Sequence, residues 1–226
     1  MSIFVRTNYG DPGGEGENPT VLKNEPTPGR KGERTRERLL GAAISEFRRT
    51  GVAGADVKAI SASAGVTPGT FYFYFPSKEH VLIELERREE ERIATDLARF
   101  FARSPTLPES LSKIVDTIQS LEYRLGSRLF KDFLALHFSS ARRPEEVWTN
   151  HPVIVVVVEQ LQAASERKLL PPQVDPLYSG LFFLVGLYAL LLTLPSEEAM
   201  RREVLARYLE TSLRGMGCTE DAAQSQ

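Results

Sequence analysis

Two threonines, a proline and a glycine, Thr67-Pro68-Gly69-Thr70, stand directly before five consecutive aromatics, Phe71-Tyr72-Phe73-Tyr74-Phe75. Hydroxyls donate hydrogen bonds to phosphate oxygens and base edges, and a glycine lets another backbone come close. With Lys58 on one side and Lys78 on the other, the set suits contact with a nucleic-acid groove rather than bond making. Chemistry of other kinds finds little support. His80, His137 and His151 lack the spacing of metal ligands, and Gly13-Gly14-Glu15-Gly16 follows no strand that would make it a phosphate cradle. Cys218 sits too near the end for a preformed nucleophile site and, as the lone cysteine, excludes an internal disulfide. The expectation is a non-enzyme with no metal or cofactor.

The residues around this set read as two short helices. Val57, Ile60 and Ala64 give an apolar period after the candidate N-cap Asp56, and Gly65 supplies the left-handed backbone of a tight turn. Thr67 then acts as an N-cap with Pro68 at the first helical position. Two helices separated by about four residues form a helix-turn-helix. Five aromatics in a row cannot all face inward on a helix. Helical spacing assigns Phe71, Phe75 and Tyr74 to the core and leaves Tyr72 and Phe73 at the groove. Gly69, a poor helix residue, is not explained by capping and is read as a point of close backbone approach. A preceding helix carries Leu40, Ala43, Ile44 and Phe47 at i, i+3, i+4 and i+7 and ends at Gly51.

Charge supports the same front end. The 226 residues carry a net charge of −2, yet residues 30–80 hold nine Lys/Arg (Arg30, Lys31, Arg34, Arg36, Arg38, Arg48, Arg49, Lys58, Lys78) and five Asp/Glu (Glu33, Glu37, Glu46, Asp56, Glu79), a local balance of +4. A basic front on an acidic body steers one end of a molecule toward phosphate. Residues 1–31, rich in Gly and Pro, are expected to be a disordered tail. No long apolar segment marks a secretory signal near residue 1, and the chain is read as cytoplasmic.

Behind the front end the pattern stays helical. After Pro76-Ser77 a long helix carries Val81, Leu82, Leu85, Ile93, Leu97, Phe100 and Phe101, with the charged block of residues 86–92 expected to be a solvated connector. Further apolar periods follow through Leu111, Ile114, Ile118, Leu121 and Leu125, then Phe130, Phe133, Leu134, His137 and Phe138. The run Val153-Ile154-Val155-Val156-Val157-Val158 has strand propensity, but its helical surroundings favour a helix. Phe101, Phe130, Phe133, His137, Phe138 and Trp148 are the candidate wall of a ligand cavity, plain core being the alternative. Residues 176–196 contain no charge and meet the length criterion for a membrane span. The absence of a flanking Lys/Arg cluster favours instead a helix buried between the core and a partner subunit. Phe182, Phe183, Leu187, Leu190, Leu205, Tyr208 and Leu209, on the last two helices, are the candidate dimer face.

Thr35-Arg36, Ala42-Ala43, Phe47, Gly51, Val57, Ile60, Ala64-Gly65-Val66, Gly69-Thr70, Tyr72, Phe75 and Lys78 carry a resemblance: residues 35–92 resemble the DNA-binding domain of TetR-family transcriptional regulators. Two departures are visible. Ser61 replaces a usual alanine, and Phe73 replaces a polar ring. The resemblance implies an all-α fold in which an N-terminal three-helix domain (residues 32–92) is joined by a long fourth helix to a helical ligand-binding and dimerisation domain (93–216), with a loose tail at 217–226. It also implies DNA contacts at Thr67, Pro68, Gly69, Thr70, Tyr72, Phe73 and Lys78, with Lys58 and Thr35 as lesser ones. The function expected is that of a repressor, a homodimer on a palindromic operator of double-stranded DNA, released by a small, largely apolar inducer. The alternatives are a membrane-anchored helical protein using residues 176–196 and a helical protein-binding scaffold.

Overall fold

The structure is a computed structural model that describes residues 29–137, 151–195 and 197–217. Among these residues it is all helix: α1 (Arg30–Gly54), α2 (Val57–Ser63), α3 (Pro68–Tyr74), α4 (Lys78–Phe101), α5 (Leu107–Leu125), α6 (Ser127–His137), α7 (Pro152–Glu166), α8 (Pro176–Thr193) and α9 (Glu198–Gly215). The first helix takes in Arg30 and Lys31, which the expected tail had included. Residues 1–28 and 218–226 of the two expected tails lie outside the described residues.

Leu39, Leu40, Ala43 and Phe47 of α1 pack with Ile60 of α2, Phe71 of α3, its C-cap Phe75, and Val81, Leu82 and Leu85 of α4 into an N-terminal core. Gly51, at φ 76°, ends the regular part of α1. Only a residue without Cβ strain turns the chain there, since left-handed backbone is costly for other residues. The groups this break exposes are taken up from α6. The Val52 N–H donates to Asp132 Oδ2 at 2.7 Å, and Arg128 Nη1 donates to the Arg49 carbonyl at 2.6 Å.

The body behind this core is a layered bundle. Leu111, Ile114, Ile118, Leu121 and Leu125 of α5 face Leu129, Phe130, Phe133 and Leu134 of α6, while Val153, Val157 and Leu161 of α7 meet Phe183, Leu184, Leu187 and Leu191 of α8. The valine run is therefore helical, its β-branched side chains filling the α7 interior. Gly180 brings α8 onto α7, where an added Cβ would lie 3.3 Å from Leu161 and Val158. Gly186 does the same for α9. A Cβ there would lie 2.5 Å from the Tyr208 hydroxyl, which donates to the Phe183 carbonyl while its ring stacks on Phe183 at 5.4 Å. Arg201 of α9 pairs with Glu122 of α5.

Helix α8 is long and apolar enough to cross a membrane, but Gly180, Phe183, Leu184, Leu187, Tyr188 and Leu191 are buried against the chain's own helices. That face belongs to a protein core, and the membrane reading is not favoured.

Candidate nucleic-acid interface

The helix-turn-helix assembles from local capping. The Asp56 carboxylate accepts the Lys58 N–H at 2.9 Å to open α2. Gly65, at φ 65°, closes it, with its N–H on the Ala62 carbonyl and the Val66 N–H on the Ser61 carbonyl, both at 3.0 Å. Thr67 Oγ1 accepts the Thr70 N–H at 3.3 Å, and Pro68 occupies the first helical position of α3. Ser61 is fully buried and returns its hydroxyl to the Val57 carbonyl at 2.8 Å, so this departure from the TetR pattern is accommodated without an unpaired polar group.

Helical spacing sorts the aromatic run as expected. Phe71 and Phe75 are buried and Tyr74 is half-buried, whereas Tyr72 is 54% and Phe73 70% exposed. Thr67, Pro68, Gly69, Tyr72 and Phe73 share one open surface. At Gly69 an added Cβ would meet only Thr67 Oγ1, at 3.8 Å, so nothing inside the molecule requires a glycine there. Lys58 is exposed on α2, and Arg30, Lys31, Arg34 and Arg38 are exposed along α1.

Two residues expected to contact phosphate have other employment. Lys78 reaches back to the end of α1, donating to the Ala53 and Ala55 carbonyls at 2.9 and 3.0 Å. Two of its three N–H donors are thereby occupied, and its first role is to hold the α1–α2 junction. The Thr35 hydroxyl donates to the Lys31 carbonyl at 3.1 Å. A phosphate oxygen can only accept, so Thr35 would have to leave that bond to bind one.

Arg36 links this surface to α4. Its guanidinium lies 4.9 Å from the centre of the Phe75 ring and bonds Glu84 at 3.1 Å. Arg87 and Arg88 also bond Glu84, and Arg88 reaches Glu37 of α1 at 2.6 and 2.7 Å. Partial burial raises the Glu84 carboxyl, but hydrogen bonds from Arg36, Arg87 and Arg88 outweigh it and hold its pKa at about 2.

The expected solvated connector on α4 is not one. Glu86 and Glu90 are 3% and 7% exposed, and Glu90 Oε1 lies 2.9 Å from His151 Nε2 at the start of α7. Tyr188 of α8 is close enough that burial, and then the charges of Glu90 and Glu86, push its hydroxyl well above the ordinary range. This polar cluster inside the body escaped the sequence reading, although Leu82, Glu86, Ile93 and Leu97 fall on one helical stripe. Of the expected cavity wall, Phe130 and Phe133 are buried and Phe101 is half-buried. Phe138, Trp148 and the His137 side chain lie outside the described residues.

The expected dimer face also divides. Phe183, Leu187 and Leu205 are buried within the chain, because α8 and α9 turn those residues toward α7 and each other, so they do not belong to an outer face. Leu190, Tyr208 and Leu209 are half-buried. The open side of α8 is instead a stripe of Tyr178, Phe182, Val185, Ala189 and Leu192, with Phe182 67% exposed.

Comparison with known proteins agrees with this geometry. Residues 39–85 match the profile of bacterial regulatory proteins of the tetR family. The HTH-type transcriptional regulator UidR of Escherichia coli is 27% identical over 186 residues, which span 80% of this chain and 92% of that one. GusR of Salmonella enterica shares the fold at a TM-score of 0.62, with 23% identity, over 86% of this chain and 100% of that one. FadR of Thermus thermophilus, a TetR-family transcriptional repressor solved with lauroyl-CoA, shares it at 0.57, with 24% identity, over 79% and 91%. Residues 39–85 thus carry a helix-turn-helix of the tetR-family type, and the helical body behind it follows the fold of a solved TetR-family transcriptional repressor.

Proposed function

We propose that the protein is a repressor that binds a palindromic operator as a homodimer and releases it when a small, largely apolar molecule enters its helical body. The observation that carries the DNA reading is the outward surface of α3, where Gly69, Tyr72 and Phe73 are open although nothing in the fold requires those residue types there. Tyr72 directs a hydroxyl to phosphate, while the exposed cations of α1 and Lys58 supply the charge that holds the duplex. Thr67, Pro68 and Thr70 set the start of α3 against the groove. Lys78 has one remaining donor for phosphate, and Thr35 contributes least. Localisation in the cytoplasm follows from this role.

Dimerisation is assigned to the open α8 stripe centred on Phe182, flanked by Leu190 and Leu209. A two-fold across that stripe sets two copies of α3 on half-sites one helical turn, or a multiple of it, apart. The effector site is assigned to the body behind α4, with Phe101, Phe130 and Phe133 as apolar wall and the Glu86, Glu90, His151 and Tyr188 cluster as its polar end. Binding of lauroyl-CoA by the Thermus thermophilus relative supports a ligand with a long apolar part. Release is a two-state shift, limited by the ligand's preference for the form that does not bind DNA.

Selection of bound sequences from a random duplex pool tests the reading. The expected product is a palindrome whose binding weakens steeply with salt, with a log–log slope of about −7 if each subunit engages roughly four phosphates. That binding is lost in Tyr72→Ala. Recovery of no preferred sequence, or binding indifferent to both salt and Tyr72→Ala, would return the chain to the scaffold reading.

A further inference from the structure

The most exposed aromatic ring in the helix-turn-helix has no hydrogen-bonding atom. Phe73 is 70% exposed, held edge-on by Tyr74 with centroids 5.0 Å apart, and stands on the same open face as Pro68, Gly69 and Tyr72. Equally informative is what α3 lacks. From Pro68 to Tyr74 it contains no charged side chain and no amide. Bidentate recognition of guanine needs Arg or Lys, and that of adenine needs Asn or Gln, so α3 cannot make either. Its polar side-chain atoms are hydroxyls. Thr67 and Thr70 bond each other at 3.0 Å, which uses one of their two hydroxyl hydrogens. Hydroxyls can donate to or accept from any base edge and discriminate weakly. The one apolar group that the major groove presents is the C5-methyl of thymine.

We infer that Phe73 is a specificity-determining residue that reads thymine by its methyl group, so that the core of each half-site is recognised through apolar contact rather than through guanine. The inference rests on the DNA-binding reading given above. Removing such a methyl costs about fourfold in affinity at one half-site and about fifteenfold when both are changed, from the transfer free energy of one buried carbon. Because the Phe73 ring is open to solvent in the free protein, truncating it leaves the fold intact.

The test uses the full chain and the duplex selected from the random pool. Each thymine is replaced in turn by deoxyuridine, in both half-sites together, and affinity is measured by fluorescence anisotropy for the wild type, Phe73→Ala and Phe73→Leu. The expected result is a single symmetric thymine position at which deoxyuridine weakens the wild type about fifteenfold. The same substitution leaves Phe73→Ala unchanged, and Phe73→Leu keeps much of the sensitivity; the Ala variant is titrated at low salt, where backbone contacts keep it bound. Wild-type binding indifferent to deoxyuridine at every position overturns the methyl readout while leaving DNA binding intact. Equal deoxyuridine losses in wild type and Phe73→Ala overturn the assignment to Phe73. Failure to select any duplex overturns the DNA reading itself and this inference with it.

Discussion

Replacing Gly69 by alanine separates what the fold needs from what the operator needs. Gly69 lies in the first turn of α3, is exposed, and has no positive φ. An added Cβ meets a single atom, Thr67 Oγ1, at 3.8 Å, an ordinary van der Waals distance. Alanine therefore fits the free protein, and because it restricts the unfolded chain it should raise stability by about 0.5–1 kcal/mol. On DNA the sign reverses if the backbone at Gly69 closes on the duplex. A methyl forced into that contact costs about 1 kcal/mol in each half-site, at the low end of overpacking penalties, or roughly thirtyfold in affinity for the dimer. The pair of measurements is a denaturant titration of Gly69→Ala beside its affinity for the selected operator. A variant that is more stable and binds equally well, or better, would show that the glycine is not a point of DNA approach.

Three further substitutions check other parts of the argument. Lys78→Met, which removes both donors from the Ala53 and Ala55 carbonyls, should destabilise the fold by about 1–3 kcal/mol in urea titration, whereas a side chain used only for phosphate would leave stability unchanged. Glu84 has a folded pKa of about 2, below its unfolded value, so its contribution is full above about pH 4.3 and is lost as pH falls toward 2. Glu84→Gln should flatten the acid limb of a stability–pH curve, and an unchanged limb would remove the network from the account. Phe182→Glu places a charge in the middle of the open α8 stripe and should give a monomer in sedimentation velocity at micromolar concentration. A dimer undisturbed by it would move the interface elsewhere.

Much of the front end was legible because local chemistry decides it. Thr67-Pro68 and Asp56 name their own helix starts, Gly51 and Gly65 mark the positive-φ stops, and a seven-residue helix with its C-cap buries Phe71 and Phe75 while Tyr72 and Phe73 face out. What local chemistry does not reveal depends on tertiary contact. The structural task of Lys78 has no local signal, because the carbonyls it caps are more than twenty residues away. The charge of Glu86 and Glu90 points to solvent, although their spacing against Leu82, Ile93 and Leu97 places them on the buried stripe. On α8, which is apolar all round, periodicity could not tell Phe183, turned inward, from Phe182, turned out. That distinction depends on Gly180 and Gly186, which fix the faces that meet α7 and α9.

The two faces of α4 bear directly on how release would work. One side carries Glu84, bound to Arg36, which in turn lies over the Phe75 ring at the end of α3. A half-turn further along, the other side carries Glu86 and Glu90, buried against α7 and α8 through His151 and Tyr188. A ligand engaging the buried pair acts on the same rigid helix that positions the reading surface. Within the proposed mechanism no separate relay is needed, because a small rotation of α4 moves both sets of contacts together. The α1–α6 bonds from Asp132 and Arg128 oppose such a rotation by tying the end of α1 to the body. Asp132→Ala should therefore loosen the front end and lower operator affinity even without ligand, through a buried or half-buried N–H left unsatisfied at Val52. Hydrogen exchange at Val52 reports the local opening, and an operator affinity that stays constant while that amide exchanges faster would show that the α1–α6 tie does not set the reading geometry.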